Sequence, residues 1–193
     1  MEHPVDSLGL VLPEPSWPDE RGSAGPLEPL RRFCNTLNRE NGADAWRTPA
    51  ELAAWLSAEG HASAGRLTRA DVGRLVALRE ALLVGIGTGD LTAFATLVGA
   101  RSVRLAATAD GGELVPATPG LDGVVTRLAL AVAITSASGE LRRLKSCDHC
   151  RWVFHDTSKN RAGRWCSMAA CGGRDKARSY RRRQAGGARR AQP

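Results

Sequence analysis

From Leu27 onward apolar positions fall into helical register. Leu30, Phe33, Cys34 and Leu37 return at steps of three and four, which predicts one buried helical stripe. Thr48-Pro49-Ala50-Glu51 places a hydroxyl at the N-cap, proline at the first helical position and a carboxylate at the third. That is a capping box, and Gly60 supplies the stop. Thr68-x-x-Asp71 repeats the start signal for a longer helix carrying Val72, Leu75, Val76, Leu82, Leu83 and Ile86, ended by Gly85, Gly87 and Gly89. Asp90 then caps a shorter helix through about Val98. Between 101 and 119 the period drops to two. Val103, Leu105 and Ala107 alternate with Arg104 and Ala106, and Asp110-Gly111-Gly112 precedes Leu114-Val115, a hairpin pattern. Helical spacing resumes from Leu121 to Ala137. Before Leu27, Pro4, Pro13, Pro15, Pro18 and Pro26 predict an irregular leader over 1–26, with at most a short strand at Leu8–Leu12.

Composition is that of a globular chain, with 42% hydrophobic and 24% charged residues among 193. Charge divides it. Residues 1–144 hold 14 Lys and Arg against 17 Asp and Glu, a net of −3; residues 145–193 hold 13 against 3, a net of +10. A polyanion is the expected partner of that last quarter. The N-terminus lacks a basic segment leading into an apolar core, so no export signal is read there. The longest apolar run, Leu128 to Ile134, is far shorter than the roughly 20 residues of a spanning helix. The chain is therefore expected in the cytoplasm, associated with the nucleoid, with its thiols reduced and no membrane partner.

Four of the five cysteines, Cys147, Cys150, Cys166 and Cys171, crowd into a basic, weakly apolar segment. A two-residue gap lets two thiolates of one turn face the same ion, and the four small or flexible residues between Cys166 and Cys171 still permit an inward turn. Zinc is the expected cofactor. His149 and His155 are alternative ligands, but a four-thiolate set is simpler. Four thiolates close the coordination sphere, which makes the site structural, and the neighbouring His155-Asp156 pair reads better as a polar turn than as acid and base. Beyond Cys171, residues 175–184 have helical composition with arginine or lysine on nearly every face.

The run Cys147-Asp148-His149-Cys150-Arg151-Trp152-Val153-Phe154-His155-Asp156-Thr157-Ser158-Lys159-Asn160-Arg161, then Arg164-Trp165-Cys166-Ser167-Met168 and Cys171-Gly172-Gly173-Arg174, resembles the CGNR zinc finger. Phe33-Cys34-Asn35-Thr36-Leu37 with Thr48 to Leu56 is similar to the start of the ABATE domain that commonly precedes that finger. The resemblance implies a bacterial, stress-induced transcription regulator: a mainly helical domain with a small β element that senses an unidentified ligand, followed by a DNA-binding finger. Carried over by position, Cys147, Cys150, Cys166 and Cys171 match its metal ligands. Gly173 stands in place of the asparagine of the name motif, Lys159 replaces an arginine, and Gly163 replaces another; none of these removes a ligand.

The expected fold class is thus mainly α with a small β element: an ABATE-like helical domain over 27–140 with a hairpin near 101–119, a finger of β-hairpin and basic helix over 145–184, and a flexible basic tail over 185–193. Lys159, Arg161, Arg164, Arg174, Lys176, Arg178, Arg181, Arg182 and Arg183 are the candidate nucleic-acid contacts. Asn35, Thr36, Arg39 and Trp46 are candidate pocket groups for a small ligand, although Asn-Thr can bond locally and Trp46 and Trp55 read more readily as core. DNA is the expected polymer and a homodimer is compatible. RNA is the alternative, with Trp152, Phe154 and Trp165 stacking on bases, and a thiol redox sensor is a third reading. No enzymatic function is expected, since there is no phosphate loop, nucleophile elbow or spaced carboxylate pair; Cys34 reads as a buried core thiol.

Overall fold

The computed structural model describes residue 23 and residues 25–61, 65–109 and 111–190. The expected strand at Leu8–Leu12, and most of the leader, lie outside them. The chain is mainly helical with two small antiparallel hairpins: α1 (Leu27–Cys34), α2 (Pro49–Ala58), α3 (Arg69–Thr88), α4 (Thr92–Val98), β1 (Val103–Thr108), β2 (Gly111–Pro116), α5 (Gly120–Ala137), β3 (Leu144–Ser146), β4 (Val153–His155) and α6 (Gly173–Arg190). A 3₁₀ turn, Glu140–Arg143, leads into β3, and a π-type turn, Met168–Gly172, leads into α6.

Local signals start α2 and α3 where the capping chemistry puts them, whereas α4 begins after Leu91 with no side-chain cap. Thr48 Oγ1 accepts from Glu51 N and Glu51 accepts from Thr48 N; Thr68 and Asp71 do the same for α3. The glycines of α3 do not stop it early. It runs to Thr88 and ends on Gly89, whose left-handed φ of +83° suits a residue without Cβ. Leu37 departs from the predicted stripe: α1 ends at Cys34, and Leu37 forms an isolated bridge with Asp44. At the other end α6 continues to Arg190, so the first part of the expected flexible tail is helical. The helix continues through Gly186 and Gly187, which disfavour it, between Ala185 and Ala188, which are good helix formers.

One core unites the helices. Leu30 and Phe33 of α1, Leu52 and Leu56 of α2, Leu75, Leu78 and Leu82 of α3, and Val125 of α5 are all buried to within 1% exposure. Phe33, Trp46 and Trp55 form an aromatic cluster with ring centroids 4.5–6.3 Å apart. By length and apolarity alone, α5 could cross a membrane, yet half of it is buried inside the protein, where Val124, Val125, Leu128 and Val132 join the core.

The second hairpin, β3–β4, bridges two interiors. Leu144 pairs with His155 and Ser146 with Val153, so Leu144 and Val153 lie on one face, while Lys145 and Phe154 pair on the other. Leu144 and Val153 belong to the helical core; Phe154 belongs to a separate cluster with Cys147, Cys150, Cys166 and Cys171. Adjacent residues Val153 and Phe154, each with no exposed surface, thereby seal two different cores.

Candidate metal centre and basic helix

Cys147 closes β3, and the turn Cys147–Cys150 brings the chain back into β4, with Cys147 N donating to Trp152 O at 2.8 Å and Arg151 N to Cys147 O at 3.0 Å. Arg151 reverses the chain at φ +66°, a left-handed conformation unusual for arginine. Cys166 and Cys171 flank a turn capped by Ser167, whose Oγ accepts from Ala170 N at 3.2 Å. The four sulfurs all lie within 4.8 Å of one another, with Cys150–Cys166 at 3.6 Å and Cys166–Cys171 at 3.7 Å. No pair is close enough for a disulfide, whose sulfurs sit about 2.05 Å apart. A tetrahedron with Zn–S bonds of about 2.3 Å has edges of about 3.8 Å. The spacing fits four thiolates around one such ion, and both predicted pairs are part of it.

Residues 143–184 match the family model of the CGNR zinc finger. No curated protein matches the chain significantly. The helical body lies outside the family match.

Within the CGNR finger, the bare thiols act on each other. Hydrogen bonding with Cys150 and Cys166 holds the Cys147 thiol far below its ordinary range, while Cys166 is pushed far up by its bonds to Cys147 and Cys150. A cluster of four sulfurs this close resists carrying four negative charges, and a divalent cation is what relieves that repulsion. Phe154 fills the floor of the cluster and Trp152 and Trp165 cover it, both only partly exposed. The finger holds too few other apolar groups to form a core without its sulfurs.

The loop after β4 hangs on Asp156, fully buried. Its carboxylate accepts from Ser158 N at 3.1 Å and Gly163 N at 2.8 Å and pairs with Lys145 Nζ at 2.8 Å. Burial opposes ionisation here, but the hydrogen bonds from Lys145, Ser158 and Gly163 outweigh it and keep the carboxyl well below its ordinary range. Asp156 therefore fixes the loop that carries Lys159 and Arg161, both exposed. His149 and His155 are not among the clustered donors.

The predicted basic residues separate into two groups. Arg164 is paired with Asp148 at 2.8 Å and lies over Trp165 at 5.0 Å; Arg174 reaches Glu40 of the helical body at 2.5 Å. Lys176, Arg178, Arg181, Arg182 and Arg183 stand exposed on α6, with no carboxylate paired to them among the described residues. Steps of three and four put Arg174, Arg178, Arg181 and Arg182 on one side of the helix, and Lys176 and Arg183 on another.

Asn35, Thr36, Arg39 and Trp46, the predicted pocket groups, are occupied with the protein itself. Asn35 acts as a surrogate strand: its amide donates to Val153 O and accepts from Val153 N, each at 2.8 Å, fastening the finger hairpin to the end of α1. Thr36 Oγ1 donates to Phe33 O and accepts from Arg79 at 3.0 Å. Trp46 is buried beneath the Arg79 guanidinium, 5.2 Å from its ring, and Arg39 pairs with Glu80. Arg79 and Asp44, unremarked in the sequence, form a forked ion pair at 2.8 and 2.9 Å, with Arg79 only 2% exposed. A signal existed: Arg79 occupies the same α3 face as Leu75 and Leu82, where a charge demands a buried partner. Asn35, Glu40 and Asp156 carried no such local mark. Cys34 is buried and its thiol is pushed up chiefly by that burial.

Proposed function

We propose that this protein is a zinc-dependent DNA-binding regulator in which the finger presents α6 and the Lys159–Arg164 loop to the duplex, with the helical body serving as an ABATE-like sensing or dimerisation module. The observation that carries the reading is the set of exposed cations Lys176, Arg178, Arg181, Arg182 and Arg183, with no carboxylate paired to them among the described residues, on a helix fixed at its N-terminus to the sulfur cluster. Zinc, when bound to Cys147, Cys150, Cys166 and Cys171, supplies the clamp that orients this helix. At about 1.5 Å per residue, α6 is roughly 27 Å long, enough to follow a groove for most of a turn. Lys159, Arg161, Lys176, Arg178, Arg181, Arg182 and Arg183 would neutralise phosphates or reach guanine edges. Arg164 and Arg174 would have to leave Asp148 and Glu40 to take part.

Duplex DNA is favoured over unpaired RNA by the aromatic residues. Phe154 is sealed in the cysteine cluster, and Trp152 and Trp165 pack against it, so their rings serve the metal centre rather than stacking on bases. Competition between duplex DNA and single-stranded RNA for the metal-loaded protein tests the choice. Duplex binding is expected to dominate and to weaken with salt at a log–log slope of about −0.9 per phosphate neutralised. A flat salt response, or preference for the single strand, would overturn the reading.

A further inference from the structure

The hairpin β1–β2, the chain just after α2 and the start of α5 border a half-open cavity of about 400 Å³, remote from the metal centre in sequence and chemistry. Three cationic or potentially cationic side chains from three different elements line it: Arg104 from β1, Arg127 from α5 and His61 from the chain just after α2. No carboxylate lines it among the described residues. Neither arginine has an ion-pair partner among the described residues. The one acid in the first turn of α5, Asp122, is turned to other work, pairing with Arg74 and Arg101 at 2.8 Å each. The floor is apolar, from Val115, Pro116 and Val124.

The same cavity holds the start of an 18-residue helix. Helices α2 and α3 have their first turns closed by threonine caps, whereas Pro119 gives α5 no side-chain cap. Two glycines shape this entry. Gly120 sits at a left-handed φ of +69°, and a Cβ on Gly123 would come within 2.7 Å of Thr118 O, so the loop lies over the helix start because Gly123 lacks a side chain. Burial first, and the charge of Arg127 second, depress the affinity of His61 for a proton, in keeping with a cationic surrounding.

We propose that this cavity binds a small organic anion, its carboxylate or phosphate group held between Arg104 and Arg127 at the start of α5 and its carbon skeleton resting on Val115, Pro116 and Val124. The size suits a compact metabolite, at the lower end of ordinary ligand sites of roughly 300–1,000 Å³. This names a ligand class for the sensing role proposed above, but the site stands on the body alone, so it can hold or fail independently of DNA binding.

Full-length protein is titrated with inorganic phosphate, with succinate and with neutral succinamide, following the His61 ring and the backbone amides of 120–124 by NMR. Saturable shifts with phosphate or succinate, absent with succinamide, are expected, and the tighter of the two anions identifies the head group. Arg104→Gln and Arg127→Gln are each expected to weaken binding about tenfold, the loss of one charge-assisted contact. Both side chains are exposed, so melting temperature should be unchanged, which separates lost binding from lost folding. Shifts that grow without saturating, that vanish in 150 mM chloride, or that persist in the double variant would overturn the site.

Discussion

The helical body and the finger solve the same problem by different means. The body buries leucines, aromatics and valines from its helices in one continuous interior. The finger places four sulfurs where a core would be and covers them with three aromatic rings. Apolar burial is distributed over many contacts, so it degrades gradually; a metal clamp is concentrated in four bonds and fails at once. Yet the two regions are not separate. Leu144 and Val153 belong to the body's interior, Asn35 clips β4, and Arg174 reaches Glu40. The hairpin is the shared part, and the difference between its two faces is what experiments can probe.

Removing the metal should have the largest effect. Chelation, or Cys171→Ser, is expected to unfold the Cys147–Cys150 turn and the segment from Cys166 through α6, because structural zinc contributes on the order of 10 kcal/mol to such sites. Helices α1–α5 and the β3–β4 pairing, whose Leu144 and Val153 belong to the body's core, should stay protected in hydrogen exchange, with the proposed nucleic-acid binding lost. Protection that survives throughout the finger in metal-free protein would remove the contrast between the two regions.

Truncating the two faces of β3–β4 should separate their effects. Leu144→Ala is expected to cost about 2–5 kcal/mol of body stability in denaturant unfolding and leave metal affinity nearly unchanged. Phe154→Ala, of similar cost, should instead lower metal affinity measured by competition with a chelator. Equal effects of both variants on both readouts would show a single cooperative unit.

Asp156 provides a smaller and pH-dependent test. Its folded-state pKa lies below the ordinary value of 3.8, so its contribution is whole above about pH 4 and is lost as pH falls through the folded value. Asp156→Asn, by leaving Lys145 and two backbone N–H groups poorly matched, should cost about 1–3 kcal/mol. The gap between wild type and variant should stay constant from pH 7 to pH 5 and narrow only in stronger acid. Narrowing near pH 6 would mean that the loop follows protonation of the sulfur ligands instead.

Smallest of all, Arg151→Gly should stabilise the finger by about 0.5–1 kcal/mol, since glycine adopts the φ of +66° without strain and the side chain is exposed. Chelator resistance is the readout, and the body's melting should not move.

Much of this was legible along the chain because its causes are local. Capping boxes at Thr48 and Thr68 act within three residues, the adjacent Gly111 and Gly112 mark where β2 begins, and Cys147/Cys150 and Cys166/Cys171 are paired by short turns. Nothing local announces that Asn35 will meet Val153, 118 residues away, or that Asp44 will lie against Arg79. Such partners depend on how the helices pack, and a polar side chain has the same composition whether it faces water, ligand or backbone. That is why Asn35 and Thr36 read as pocket groups from the sequence and are internal fasteners in the fold. Helices, hairpins and the four-sulfur set are short-range consequences of residue type and spacing, and so could be read along the chain. That Val153 and Phe154, neighbours on one strand, close two different interiors follows from packing, because strand alternation gains its meaning from what lies on either side.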